Sequence, residues 1–160
     1  MVRQEFEFHP SQVKFVSPDG QTIKGLQLDD NGALSVPLLN HQMVSTDATS
    51  TTSSTSYVVI DSMTVTPIAG TWWVSFSSSG NGSAQNADLD FAIFMDGSVV
   101  SGTTRRNGHQ SGQQNKDTVR PMHTQAIITT TGTEVIDVRY KTSSGTFSVY
   151  ERNLILVRVG

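Results

Sequence analysis

The sequence predicts an all-β chain, folded as a two-sheet sandwich with a short N-terminal β arm. Three observations predict it. Apolar and polar residues alternate with period two again and again after Met63; glycine, proline, asparagine and aspartate punctuate those runs at short spacing; and no stretch carries an apolar stripe of helical period. The elements are taken below in chain order.

In the N-terminal arm, residues 1–44, Phe6 and Phe8 alternate with Glu5 and Glu7. Val13 and Phe15 then lead into Ser17-Pro18-Asp19-Gly20, a tight-turn sequence. Ile23, Leu26 and Leu28 form the return. Asp29-Asp30-Asn31-Gly32 is the next turn, and Ala33 to Val36 a short strand ended by Pro37. Two or three such strands are too small to bury a core of their own, so the arm must pack on something else. Residues 45–56 follow, ten of twelve being Ser or Thr. Such a run buries little apolar surface and is expected to be a linker.

Residues 57–160 are the expected sandwich. Met63 and Val65 alternate with threonines. Beyond the Pro67 to Gly70 turn, Trp72, Val74 and Phe76 share one face and Trp73, Ser75 and Ser77 the other, until Gly80-Asn81-Gly82 breaks the run. Leu89, Phe91, Ile93 and Met95 line another strand, and Asp96-Gly97 is a two-residue hairpin signal into Val99 and Val100. Thr103 to Asp117 is almost wholly polar and is expected to be the longest loop, with Arg105, Arg106 and His109 exposed on it. Ala126–Ile128, Val135–Tyr140, Phe147–Tyr150 and Leu154–Val159 supply four more strands, with turns at Thr131-Gly132 and Ser144-Gly145. About eight short strands with glycine-rich turns point to a sandwich of jelly-roll type.

Composition narrows the function. The 160 residues suffice for one domain, and cysteine is absent, so there is no disulfide framework, thiolate metal site or cysteine nucleophile. Net charge is −3, and Arg105-Arg106 is the only adjacent basic pair. A nucleic-acid groove, which must neutralise several phosphates together, is therefore not expected. No signal-peptide pattern or long apolar run marks a membrane segment, so the chain is expected to be soluble.

Three segments carry a resemblance: Asp61-Ser62-Met63-Thr64-Val65-Thr66-Pro67 followed by Gly70-Thr71-Trp72-Trp73-Val74; Phe91-Ala92-Ile93-Phe94-Met95-Asp96-Gly97; and Arg152-Asn153-Leu154-Ile155-Leu156-Val157-Arg158-Val159. Together they resemble a tailed-phage virion domain similar to the trimeric jelly rolls of the C1q and tumour-necrosis-factor type. The resemblance covers 57–160 and does not reach the arm. It implies a homotrimer on a phage particle, at the capsid exterior or on a fibre, whose partners are the major capsid protein or another virion protein. The short arm favours a capsid decoration, or cement, protein. The alternative is a fibre tip that binds a host receptor or glycan. The resemblance also implies that Tyr140, Phe147 and Tyr150 pack near the trimer axis.

No catalytic, cofactor or metal site is expected, and no enzyme. His9, His41, His109 and His123 lie far apart with no ligand spacing, although three copies of one histidine could meet on a trimer axis. Asp88 and Asp90 share a strand face but read as a polar outer surface rather than an acid/base pair. Asp29, Asp30 and Asn31 lack the remaining positions of a calcium loop. No Gly-x-Ser-x-Gly elbow is present. Of Trp72 and Trp73, neighbours on a strand, one must turn outward; Trp73 is expected at a subunit contact or against a sugar. Phe6, Phe8, Val13 and Phe15 are expected to add the arm to a neighbouring chain by strand augmentation.

Overall fold

The computed structural model describes residues 27–28, 34–35, 40–108 and 118–160. The chain divides into two compact units, 1–39 and 40–160. In the first, β1 (Gln27–Leu28) pairs antiparallel with β2 (Leu34–Ser35), with Leu28 opposite Leu34. The proposed turn at 29–32 and the residues Phe6, Phe8, His9, Val13 and Phe15 lie outside the described residues, as does His109.

The second unit is an antiparallel β-sandwich. Its strands are β3 (His41–Thr46), β4 (Ser50–Thr52), β5 (Val58–Val65), β6 (Gly70–Gly82), β7 (Asp88–Met95), β8 (Ser98–Val99), β9 (Arg105–Gly108), β10 (Arg120–Thr130), β11 (Ile136–Thr142) and β12 (Phe147–Arg158). One sheet has the order β10-β6-β12-β3, with β4 also on β12; the other has the order β5-β11-β7-β8, with β9 also on β7.

Alternation builds the core. Trp72, Val74 and Phe76 from β6, Leu154 and Leu156 from β12, Leu89, Phe91 and Ile93 from β7, and Ile136 and Val138 from β11 point between the sheets and are buried. Each such side chain contributes about 1.5–3 kcal/mol of transfer free energy. Trp72 completes its burial by donating its indole N–H to the Ile68 carbonyl at 3.0 Å.

Several expectations are corrected. The Ser/Thr-rich run is not a linker: β3 reaches into it and β4 lies within it, and both pair with β12, Ser45 opposite Asn153 and Thr51 opposite Ser148. The unit boundary accordingly falls at 39/40 rather than 44. A hydroxyl is small enough to be buried when bonded, and Ser50 and Thr52 face inward, Ser50 sharing a hydrogen bond with the Tyr140 hydroxyl at 2.9 Å.

Gly80-Asn81-Gly82 does not break its strand, because β6 runs through it to pair with β10 and β12. Gly80 is there for room: a Cβ would sit 2.7 Å from the Met122 sulfur and 2.9 Å from the Ser148 carbonyl oxygen. Phe147–Tyr150 and Leu154–Val159 are not separate strands either. Both belong to β12, where a bulge between Tyr150 and Asn153, with Glu151 at φ 46°, reverses the alternation so that Val149 and Arg152 both point inward. Ser62, at φ 66°, does the same in β5 for Ile60 and Met63. The Asp96-Gly97 hairpin is present, with both residues at positive φ as a type I′ turn requires.

Candidate assembly surface

The two outer faces of the sandwich differ in chemistry. On the β5-β11-β7 sheet the outward face carries paired charges beside the exposed Val59, which lies opposite Arg139. Arg106 donates to both oxygens of Asp90 at 2.7 and 3.0 Å and lies 3.1 Å from Asp88. Lys141 stands 3.7 Å from Asp90 and over the Tyr57 ring. Arg139 is bidentate on Asp137 at 2.7 and 2.9 Å and stacks on Phe94, against which Tyr57 packs edge-on. The Asp90 hydrogen bonds raise the Arg106 pKa, and the Asp137 hydrogen bonds do the same for Arg139. Burial and the Asp90 charge push the Tyr57 hydroxyl up. This face is neutralised internally.

The outer face of the β10-β6-β12-β3 sheet is a grid almost free of charge. Register alone places one row as Ile127, Trp73, Val157 and His41, side by side across four strands. The next row is Gln125, Ser75, Ile155 and Met43, and the third is His123, Ser77, Asn153 and Ser45. Ile127 is 60% exposed, Met43 58% and Trp73 36%. The apolar patch continues round the β10 edge into a groove of about 320 Å³ lined by Met95, Val99, Val100, Ile127 and Ile128. Among the described residues, Asp47, Glu151 and Arg120 stand at the far end of the sheet, where they line shallow grooves with Ser77, Ser79 and Tyr150.

The residues singled out in the sequence divide accordingly. Trp73 lies at the centre of the apolar row. Tyr140 and Phe147 do not reach any surface: they are 2% and 0% exposed and pack on each other in the core at 5.6 Å, so their expected assembly role is corrected. Burial raises the Tyr140 hydroxyl pKa. Tyr150 is half-buried, donating to the Asn81 side-chain oxygen at 2.9 Å. Arg105 and Arg106 are not on a loop but in β9, paired to β7; Arg105 donates to the Gly102 and Thr104 carbonyls and Arg106 is held by the aspartates. Asp90 is correspondingly buried at 5% exposure instead of forming an open polar surface. Among the described residues, no group of three or more His, Asp or Glu is arranged to hold a metal ion. The partners of Trp73 were missed, yet Ile127-Ile128 and Leu154 to Val157 are unbroken apolar pairs and runs, the pattern of strands apolar on both faces.

With this geometry in view, the solved structures supply the comparison. The infectious bursal disease virus Gt strain structure superposes with a TM-score of 0.52 at 16% identity, covering 89% of this chain and 41% of that one. The VP2 subviral particle of the same virus gives 0.51 at 14%, covering 85% and 37%, and its T13 viral particle gives 0.52 at 16%, covering 85% and 36%. The fold is a jelly roll like those of viral capsid proteins. The chain spans only 36 to 41% of the length of these virus proteins. No protein-family model and no curated protein matches the chain.

Proposed function

We propose that the protein is a non-catalytic virion structural component: a jelly roll that self-assembles, as a homotrimer, through the uncharged face of its β10-β6-β12-β3 sheet and decorates a phage capsid. The observation that carries this reading is the row Ile127, Trp73 and Val157, aliphatic and aromatic side chains side by side, Ile127 and Trp73 exposed and Val157 half-buried, on a face without paired charges. Aromatic residues are enriched at sites of association between proteins. The capsid-protein likeness of the fold supports the virion setting. A closed three-fold ring buries such a face without leaving an open end for fibre growth.

The grid is small. Three strand gaps of about 4.8 Å by two row steps of about 6.7 Å cover about 200 Å², against about 800 Å² per partner in a standard interface. Further contacts must come from outside it, and the Phe6/Phe8 segment of the arm is proposed to supply them, to capsid or neighbouring chain, by strand augmentation.

Light scattering of the purified protein, together with its rebinding to capsids stripped of it, tests the reading. A trimer that rebinds in many copies and protects capsids from heat is expected, while Trp73→Arg stays folded but monomeric. A wild-type monomer that ignores capsids would sink it. The exposed Trp73 ring favours one second reading, a fibre tip stacking on a glycan; glycan binding by the wild type, lost in Trp73→Ala, would replace decoration with it.

A further inference from the structure

We infer that assembly through this face is gated by pH, with His41 and His123 as the gate. The inference rests on the reading that the face is where copies meet. Of the twelve side chains in the three rows, only these two are ionisable near neutrality, and both are exposed in the single chain. His41 ends the apolar row beside Val157, and His123 stands two residues from Gln125 on β10, its Nε2 3.2 Å from the Ser75 hydroxyl.

Among the described residues, no carboxylate forms an ion pair with either imidazole. Across from His123 are Ser77 on β6, Asn153 on β12 and Ser45 on β3; across from His41 are Val157 on β12 and Trp73 on β6. The neighbouring Arg158 turns its guanidinium to the Gly160 carbonyl, and Asp47, Glu151 and Arg120 belong to the grooves at the far end of the sheet. A neutral imidazole can enter an apolar contact with its hydrogen bonds made, whereas an imidazolium is desolvated without a counter-charge. Symmetric assembly adds repulsion, since every copy brings the same histidines.

The sign follows from linkage. A histidine that must be neutral in the complex binds its proton only in the free chain, so association is favoured at the upper end of the pH range and weakens as pH falls, by up to tenfold per pH unit for each histidine. Carboxylates titrate near pH 4, so the window between about pH 8 and about pH 5.5 isolates the histidines.

The experiment is sedimentation equilibrium of the full chain across that window at fixed ionic strength, with circular dichroism at each pH. The wild type is expected to weaken its self-association at least tenfold towards pH 5.5 with an unchanged β spectrum, and His41→Gln/His123→Gln to hold one association constant throughout. Wild-type assembly indifferent to pH, the same pH dependence in the double variant, or loss of the β spectrum along with assembly each overturns the gate while leaving self-assembly standing. A chain monomeric even at pH 8 overturns the assembly reading, and the gate with it.

Discussion

Glu134 organises the start of the turn between β10 and β11, and Asp96 holds its end at Val135. The Glu134 carboxylate accepts from the Thr131, Gly132 and Thr133 backbone N–H groups and from the Thr131 hydroxyl, at 2.8 to 3.2 Å. Those bonds, the Thr131 hydroxyl first among them, lower its pKa to about 2. A depressed folded-state value means the stabilisation is present above the unfolded pKa, about 4.3, and is lost as pH falls towards 2. Glu134→Gln is therefore expected to lower the urea midpoint at pH 6 and to converge with the wild type near pH 2; parallel midpoints at every pH would disprove the assignment. Arg152 is a second organiser, 1% exposed, donating to the carbonyls of Ala48, Val149 and Asp61 and so tying the β3–β4 corner to β12 and β5. Among the described residues its Nε has no hydrogen-bond partner. Arg152→Ala leaves those carbonyls short of a donor beside a cavity, and a loss of about 3 kcal/mol in chemical denaturation is expected; a loss below about 1 kcal/mol would show that the corner holds without it.

At the scale of the element, alternation was legible wherever it was clean. Trp72/Val74/Phe76 and Leu89/Phe91/Ile93 announce β6 and β7, and Asp96-Gly97 announces its hairpin because positive φ at two successive positions is costly for most other pairs. What escaped were strands whose reason lies in a partner. β4 has no apolar residue, and it is held by pairing with β12 and by hydrogen bonds of Ser50 to Tyr140 and Asp61 and of Thr51 to Ser148. Gly80 reads as a breaker by propensity, yet the crowding of Met122 and Ser148 requires it. Gly80→Val should thus destabilise the sandwich by about 1–3 kcal/mol as judged by thermal melting, instead of improving the strand as β-propensity alone would suggest. The bulge in β12 was invisible because two runs of opposite phase, Phe147/Val149 and Leu154/Leu156, look like two strands unless their shared neighbour β6 is known.

For the whole molecule, the sandwich follows from adding such elements, but the assembly surface does not, because it depends on which apolar residues fall side by side. Trp73 was marked by its neighbour Trp72; Ile127, Val157 and Met43 joined it only once register was known. Tyr140 and Phe147 were assigned outward by analogy, although their phase with Val138 and Val149 already placed them inside. Every described member of the core cluster comes from residue 44 onward, and β3 starts at His41, so a 40–160 chain keeps both sheets. That fragment is expected to fold with one cooperative transition and to self-associate through the grid more weakly than the full chain, while losing capsid binding, because a grid of about 200 Å² per copy is too little to hold a particle without a second element and several arms acting together raise avidity. Sedimentation with stripped capsids checks it: undiminished binding by the fragment would move the capsid contact from the arm to the sandwich, and a broad, non-cooperative melt would mean that residues 1–39 belong to the folding unit after all.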